Sequence, residues 1–236
     1  MIILDRRRFL GTMAAVAGAS TLAAIRPASA ADAPVGFPEA SSNPLRWPFV
    51  MGLLVAGDAA AREAEIAALR DKTSYRRKLA YASSDRKKEA FAEALIAWFA
   101  TGKDVRFAGL IVVDPDAKWP NEDAARDKVM ASLCTQLIET AGAPKGLVLN
   151  IPDKRKTPRD RTLRALVPVP ADGAPPDMPN LDQAARFLTG CLYGEAAAAS
   201  QALKVKLTGT LKSALKVEAL SAANLAGKFT VAAVSL

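Results

Sequence analysis

The chain has 236 residues, half of them apolar, and a formal net charge of +8 at pH 7. It contains no histidine, which excludes a catalytic triad that uses histidine, a zinc site with histidine ligands and an imidazole base. Its length predicts one domain with a substantial core, and its basic surplus permits an acidic partner without requiring one.

The first 30 residues have the features of an export signal. A pair of arginines followed by Phe-Leu opens an uncharged stretch that is too short, and too rich in Ala and Gly, to remain as a membrane span. Small residues then occupy the two positions that a signal peptidase reads. These features predict a twin-arginine signal over 1–30; the alternatives are an ordinary secretory signal and a chance basic start to a buried helix. The signal residues are Arg6, Arg7, Phe9, Leu10, Ala28 and Ala30.

Cleavage after Ala30 would release a protein into the periplasm, with the twin-arginine machinery and signal peptidase as its partners in export. Removing the four basic residues and one acid of the signal leaves 28 basic and 23 acidic groups. No later apolar stretch approaches membrane-spanning length, so we expect that the mature form does not cross the membrane.

The first half of the mature chain alternates apolar runs with amphipathic helical patterns. Prolines dominate its beginning, Asp58 is placed to cap one helix, and Phe91, Leu95 and Phe99 recur at helical spacing in the next. In chain order we predict an irregular arm at 31–48, a strand at 49–56, a helix at 59–72, an edge strand or loop at 76–83, a helix at 84–99 and a strand at 105–113.

The second half continues the alternation. In chain order we predict a helix at 121–140, a strand at 146–151, a basic segment at 154–161 that opens a short helix to 165, a strand at 166–169, an exposed proline-rich loop at 170–179, a helix at 181–201 and a strand at 228–236. Residues 203–227 fit either a strand or a helix. The pattern predicts a single α/β domain over 49–236, with a mixed central sheet flanked by helices.

The two cysteines, Cys134 and Cys191, each lie in an apolar helical pattern. In an oxidising compartment they could form one disulfide that closes a long loop. They could equally be two buried thiols, since a disulfide requires a Cβ geometry that sequence does not reveal.

Several short segments resemble one known family. They are RKLAYAS at 77–83, KDVRFAGLIVVD at 103–114, GLVLNIPD at 146–153 and LDQAARFLTG at 181–190. Together they resemble the bacterial family labelled domain of unknown function 3800, over most of residues 45–200. The resemblance implies a ribonuclease-H-like fold. A nuclease of that fold uses carboxylates that converge on two divalent ions.

This chain departs from the carboxylate pattern that the resemblance implies. The acidic start corresponds at best to Glu39, Lys78 replaces a glutamate, Asn150 or a displaced Asp153 stands for the strand aspartate, and Arg186 replaces the last aspartate. A cation beside a divalent ion repels it by several kcal/mol. The resemblance therefore implies a catalytically inactive binding or scaffold domain without metal or cofactor. Its cleft, lined by Lys78, Asn150, Asp153 and Arg186, would suit an anionic ligand such as phosphate or a carboxylate. The alternative for Lys78 and Arg186 is a solvated or ion-paired face.

A metal-dependent periplasmic nuclease or other hydrolase is the alternative. It would need a rearranged carboxylate set, although each of these acids also fits a solvated or capping role. The candidates are Asp114, Asp116, Asp153, Asp160, Asp182 and Glu195.

A basic cluster around residue 159 raises a third hypothesis, contact with nucleic-acid phosphates. Aromatic residues for base stacking are missing nearby, and export makes nucleic acid an uncommon partner, so a solvated basic loop is favoured. The cluster comprises Lys154, Arg155, Lys156, Arg159, Arg161 and Arg164.

Overall fold

A six-stranded mixed sheet with helices on both faces organises the part of the chain that the computed structural model describes. That part is residues 33–40, 48–79, 86–112, 120–142, 145–151, 157–167, 177–198, 201–225 and 227–234. The predicted α/β class, with a mixed sheet between helices, is confirmed.

The strands are β1 (Val35–Ala40), β2 (Phe49–Ala56), β3 (Val105–Val112), β4 (Val148–Leu149), β5 (Asn224–Leu225) and β6 (Phe229–Val234). The helices are α1 (Ala59–Thr73), α2 (Arg86–Thr101), α3 (Asp123–Thr140), α4 (Pro158–Leu166), α5 (Pro179–Ala196) and α6 (Ala202–Leu215). Within the described ranges, none of these helices is both long enough and apolar enough to cross a membrane.

The strand order in the sheet is β4-β1-β2-β3-β6-β5. β1, β2 and β3 form an antiparallel meander at its centre. β4 runs parallel to β1 at one edge, β6 runs parallel to β3, and β5 closes the other edge antiparallel to β6. The long β2 and β3 strands are buried along almost their whole length because helices cover both faces.

Side chains of the central strands alternate between two apolar cores. On β2, Phe49, Met51 and Leu53 face one core, and Val50 and Leu54 face the other. Helices α1, α2, α5 and α6 pack over the core that holds Val50 and Leu54, whereas α3 and α4 pack over the opposite one. The period-2 alternation of a strand thus separates the helices into two layers.

Two glycines let α5 approach the sheet closely. A Cβ atom added at Gly52 of β2 would overlap the Thr189 hydroxyl and lie 2.7 Å from the ring of Phe107. A Cβ atom added at Gly109 of β3 would lie 2.5 Å from a methyl group of Leu192. The missing side chains leave the groove into which α5 packs.

The prediction of an irregular arm over 31–48 is wrong for 35–40, which form β1, so the domain begins before residue 49. Pro38 hid the strand pattern. The backbone N–H and C=O groups of β1 that face away from β2 belong to every second residue. This follows from two hydrogen bonds, in which the N–H of Val148 donates to the carbonyl of Pro34 and the N–H of Asn150 donates to that of Gly36. Pro38 falls on the same side, facing away from β2, so its missing N–H removes no bond of the β1–β2 ladder.

The end of α5 also differs from the prediction. The expected helix over 181–201 ends at Ala196, and α6 begins at Ala202. The ambiguous stretch 203–227 is helical as far as Leu215, because Leu203, Leu207, Leu211 and Leu215 recur every fourth residue and are buried.

Two smaller boundaries are corrected as well. Leu166 ends α4 instead of opening a strand, and Pro179 begins α5 instead of ending a loop. Pro179 suits a first helical position because the amide that it lacks would have no partner there.

Candidate functional site

A cleft of about 630 Å³ lies between the end of β1 and the outer side of α5. Glu39 and Ala40 of β1 and Asn150, just after β4, form one side of it. Lys78 and Leu79, which follow α1, close the cleft near the beginning of α5. Its volume falls in the range of small-molecule sites in proteins.

The structure brings together residues that the sequence analysis singled out. Lys78, Asn150 and Arg186 all line this cleft, together with Glu39. They come from four separate parts of the chain, so only the fold unites them. Asp153, the remaining candidate, lies outside the described residues.

Glu39 lies between two guanidinium groups. Its Oε2 atom is 3.3 Å from Nη2 of Arg186, and its Oε1 atom is 3.9 Å from Nη1 of Arg159. The Glu39 side chain is only 12% exposed, whereas that of Arg186 is 48% exposed. Arg186 also contacts Oδ2 of Asp182 at 3.6 Å, one turn earlier on α5. A mostly buried carboxylate is thus neutralised by cations that the protein itself supplies.

Arg159 connects this arrangement to a second, deeper acid. Asp160 is fully buried, and its Oδ1 atom accepts hydrogen bonds from Nε and Nη2 of Arg159 at 2.9 and 2.6 Å. Charges therefore alternate from Asp160 through Arg159, Glu39 and Arg186 to Asp182. This chain of alternating charges connects α4 on one face of the sheet to α5 on the other.

This packing removes a member from the basic cluster that was proposed to contact nucleic acid. Arg159 is buried and paired, so it is not an exposed phosphate contact. Arg164 donates to the carbonyl of Ile151 at 3.1 Å, and Arg161 is exposed. The lysines and the arginine at 154–156 lie outside the described ranges.

Arg70 holds the cleft wall that carries Lys78. This arginine of α1 is buried, and its guanidinium donates to the carbonyls of Tyr75 and Arg77 and to Oε1 of Gln183 on α5. The same Gln183 oxygen accepts the backbone N–H of Leu79 at 3.2 Å. The segment after α1 is therefore fastened to the first turns of α5.

Three charged groups of the cleft keep hydrogen-bonding capacity for a ligand. Lys78 and Asp177 are exposed, and their side chains have no partner among the residues that the structure describes. Within the same ranges, Arg186 contacts acids only through Nη2. Its Nε and Nη1 atoms leave part of the planar fork available.

Thr189 lies at the floor of the cleft, where α5 crosses Gly52. It is 1% exposed, and its hydroxyl has no hydrogen-bond partner in the described part of the structure. Sequence reasoning did not identify Thr189, Asp182, Gln183 or Tyr193 as lining residues. Together with Arg186, the residues Asp182, Thr189 and Tyr193 recur every three or four positions along α5, and this spacing was the available signal.

The acids proposed for a rearranged metal set are not gathered by the fold. Asp160 and Asp182 pair with different arginines, and Glu195 accepts hydrogen bonds from the backbone and hydroxyl of Ser221. Asp114, Asp116 and Asp153 lie outside the described ranges. Among the residues described, no group of three or more acidic or cysteine side chains is arranged to hold a metal ion.

The two cysteines lie on opposite faces of the sheet. Cys134 of α3 belongs to one core and Cys191 of α5 to the other. They do not form a disulfide, and both are buried thiols. Burial raises the pKa of the Cys134 thiol to about 12.

Comparison of the chain with protein-family models, with curated proteins and with solved structures finds no match. The fold and the cleft together define an α/β domain with a charged surface site. The resemblance to the family of unknown function, and with it the ribonuclease-H-like fold, stays a prediction from the sequence segments.

Proposed function

We propose that the protein is a non-catalytic binding domain, ribonuclease-H-like in fold, whose cleft takes a small anion such as a carboxylate or phosphate. The observation that carries the proposal is the position of Arg186. Its guanidinium lies 3.3 Å from Glu39, inside the cleft that Lys78 and Asn150 also line. On this proposal, Arg186 supplies the positive charge beside Glu39 that a metal ion would supply in a catalytic relative.

The proposal of an anion site is supported by the groups that the cleft offers. Arg186 is half exposed, and its Nε and Nη1 atoms are available to donate hydrogen bonds. The Lys78 ammonium is exposed beside the same helix. A guanidinium binds a carboxylate or phosphate through two parallel hydrogen bonds, and an ammonium adds a point charge. The Arg70 contacts support the same proposal, because they hold the Lys78 segment before any ligand arrives.

The proposed loss of metal chemistry rests on electrostatics. A divalent ion at Glu39 would lie within a few ångströms of two guanidinium groups. Even at an effective dielectric of about 20, each such contact is unfavourable by several kcal/mol. Binding the ion would therefore require Arg159 and Arg186 to move away, and Arg159 is buried.

We further propose that the chain is exported through the twin-arginine pathway and acts in the periplasm. The signal lies outside the described residues, so the proposal depends on the paired arginines and the small residues before the cleavage point. Arg6→Lys together with Arg7→Lys should retain the protein in the cytoplasm with its signal uncleaved. Arg8→Lys, between the pair and Phe9, is the matched control. Normal periplasmic recovery of the double variant would contradict this route.

Calorimetric titration of the purified protein with phosphate, acetate and succinate tests the cleft. We expect saturable binding that Arg186→Gln and Lys78→Gln each weaken at least tenfold. The controls are Arg161→Gln and Lys87→Gln, which remove exposed cations of α4 and α2 that do not line the cleft. No binding of any of the three anions at millimolar concentration would overturn the proposal.

A nuclease assay tests the alternative. The purified protein is incubated with RNA or DNA in the presence of Mg²⁺ or Mn²⁺. We expect no cleavage above that of the metal alone. Cleavage that co-purifies with the protein and is abolished by Glu39→Gln would favour the hydrolase.

A further inference from the structure

We infer that the ligand of this cleft carries charges of both signs and is a small zwitterion of the amino-acid or dipeptide class. Its carboxylate would meet Arg186 and Lys78, and its ammonium would meet Asp177 and Asp182. The inference rests on the proposed function of the cleft as a binding site.

Positive and negative side chains are balanced in the cleft. The described lining contains three cations and three acids, which are Lys78, Arg186, Lys204, Glu39, Asp177 and Asp182. A ligand with several negative charges, such as a nucleotide or a nucleic-acid strand, would bring some of them close to the three carboxylates. A ligand with one charge of each sign leaves the net charge of the cleft unchanged.

A cation and an acid of the cleft also lie close enough to meet one small ligand. Asp182 and Arg186 are one turn apart on α5, a rise of about 6 Å, and their charged atoms lie 3.6 Å apart. An α-amino acid carries its ammonium and its carboxylate on one carbon atom, so both can meet this pair at once. The two charges without a partner in the described structure strengthen the match, because Lys78 and Asp177 both lie beside the first turns of α5.

The cleft extends beyond these charges and can hold the rest of the ligand. From Arg186 the lining continues along α5 to Tyr193, about 10 Å further on. Gly190 lines this section, and the Thr189 hydroxyl lies at its floor without a partner among the described groups. The far end is bounded by the Tyr193 ring, with the Lys204 ammonium 5.6 Å from its centre. This section suits a long or aromatic side chain, or the second residue of a dipeptide.

The open side of β1 argues against a longer peptide that would bind as an added strand. Beyond β4, the outward-facing residues of β1 are Pro38, which has no N–H, and Ala40, whose N–H donates to the carboxylate of Glu39. Strand addition depends on such backbone groups. Recognition would therefore come from the charged side chains, which suits a short ligand.

The test compares ligands that differ by one charge. The full chain is titrated calorimetrically with phenylalanine, glutamine and the dipeptide Ala-Phe, then with their N-acetylated forms and their C-terminal amides. We expect at least one zwitterion to bind ten or more times more tightly than both of its singly blocked forms. Equal affinity for N-acetylphenylalanine and phenylalanine would overturn the inference, yet it would leave the anion site of the proposed function intact.

Variants separate the two halves of the site. Asp177→Asn and Asp182→Asn should weaken binding of the zwitterion at least fivefold without weakening that of acetate. Arg186→Gln should weaken both, and Asp127→Asn, an exposed acid of α3, should change neither. If the aspartate variants bind the zwitterion as the unmodified protein does, the inference is wrong. If neither zwitterions nor simple anions bind, the proposed function fails with it.

Discussion

Truncation of Asp160 should strongly destabilise the domain. This acid is fully buried, and it accepts two hydrogen bonds from Arg159 and one, at 2.7 Å, from the hydroxyl of Thr157. Asp160→Ala removes all three acceptor contacts. It leaves a guanidinium that is 8% exposed, with Glu39 at 3.9 Å as its remaining acid.

The expected magnitude follows from burial. Removing one partner of a buried ion pair costs about 3–5 kcal/mol, because the other charge stays desolvated without compensation. An exposed pair contributes only about 0.2–1 kcal/mol. Asp123→Ala is the matched control, since Asp123 also lies in the first turn of a helix and pairs with Arg126 at 3.1 Å, but is 95% exposed.

The assay is urea-induced unfolding followed by circular dichroism at pH 7, with the free energy of unfolding extrapolated to water. We expect Asp160→Ala to lose about 3–5 kcal/mol and Asp123→Ala to lose less than about 1 kcal/mol. Replacing both buried charges, by Arg159→Met with Asp160→Leu, should recover much of the loss. A loss below about 1 kcal/mol for Asp160→Ala would refute the assignment of a buried pair.

Three further predictions use the same protein. Gly52→Ala should lower the free energy of unfolding by about 1–3 kcal/mol, because the added methyl group overlaps α5. The control Gly209→Ala, on the exposed side of α6, should raise it by about 0.5–1 kcal/mol. Equal urea midpoints for the two variants would contradict the close packing at Gly52. Neither Cys134 nor Cys191 should react with a coloured disulfide reagent at pH 8 until urea is added, and rapid native labelling would contradict their burial. Burial lowers the pKa of Lys228 from 10.5 to about 8, so the unfolded chain holds a proton that the folded one has lost between these values. The stability of the protein relative to Lys228→Met should therefore rise from pH 8 to 10.5, and a flat or falling difference in urea titrations would disprove the shift.

The interior elements could be predicted from their residues because local pattern and burial agree there. The apolar run at 49–56 gives β2 its bounds, since both faces of this strand are covered and no polar residue is needed. Phe91, Leu95 and Phe99 are all buried on α2, as their spacing predicts. Asp58 caps α1 through its side chain, which accepts the N–H of Ala61.

β1 was predicted less well, because β4 pairs with only its first two residues and the rest of the strand tolerates residues that a fully paired strand excludes. β1 contains Pro38 and Glu39, and only its position beside the cleft makes both acceptable. In α6 the alternation of Lys204 to Leu207 resembles a strand, but burial of Leu203, Leu207 and Leu211 favours the helix. Tertiary contacts decide such cases.

The candidate site was predicted in part. Lys78, Asn150 and Arg186 were identified through the family resemblance, and all three line the cleft. Asp182 was proposed as a member of a metal-binding carboxylate set, whereas in the structure it pairs with Arg186. A carboxylate in a sequence does not show which cation it will meet. Thr189 was missed since its hydroxyl gains significance only where α5 crosses Gly52.

The amino-acid sequence by itself determined the chemistry that is excluded, because a chain without histidine cannot build sites that require one. It also determined the α/β class, since apolar periodicity depends only on neighbouring residues. The tertiary structure decided that Glu39 meets Arg159 and Arg186, and that Cys134 and Cys191 lie on opposite faces of the sheet. Such contacts act over only a few ångströms, yet Glu39 is more than a hundred positions away from both arginines in the sequence. The path of the chain, and not its local pattern, therefore sets them.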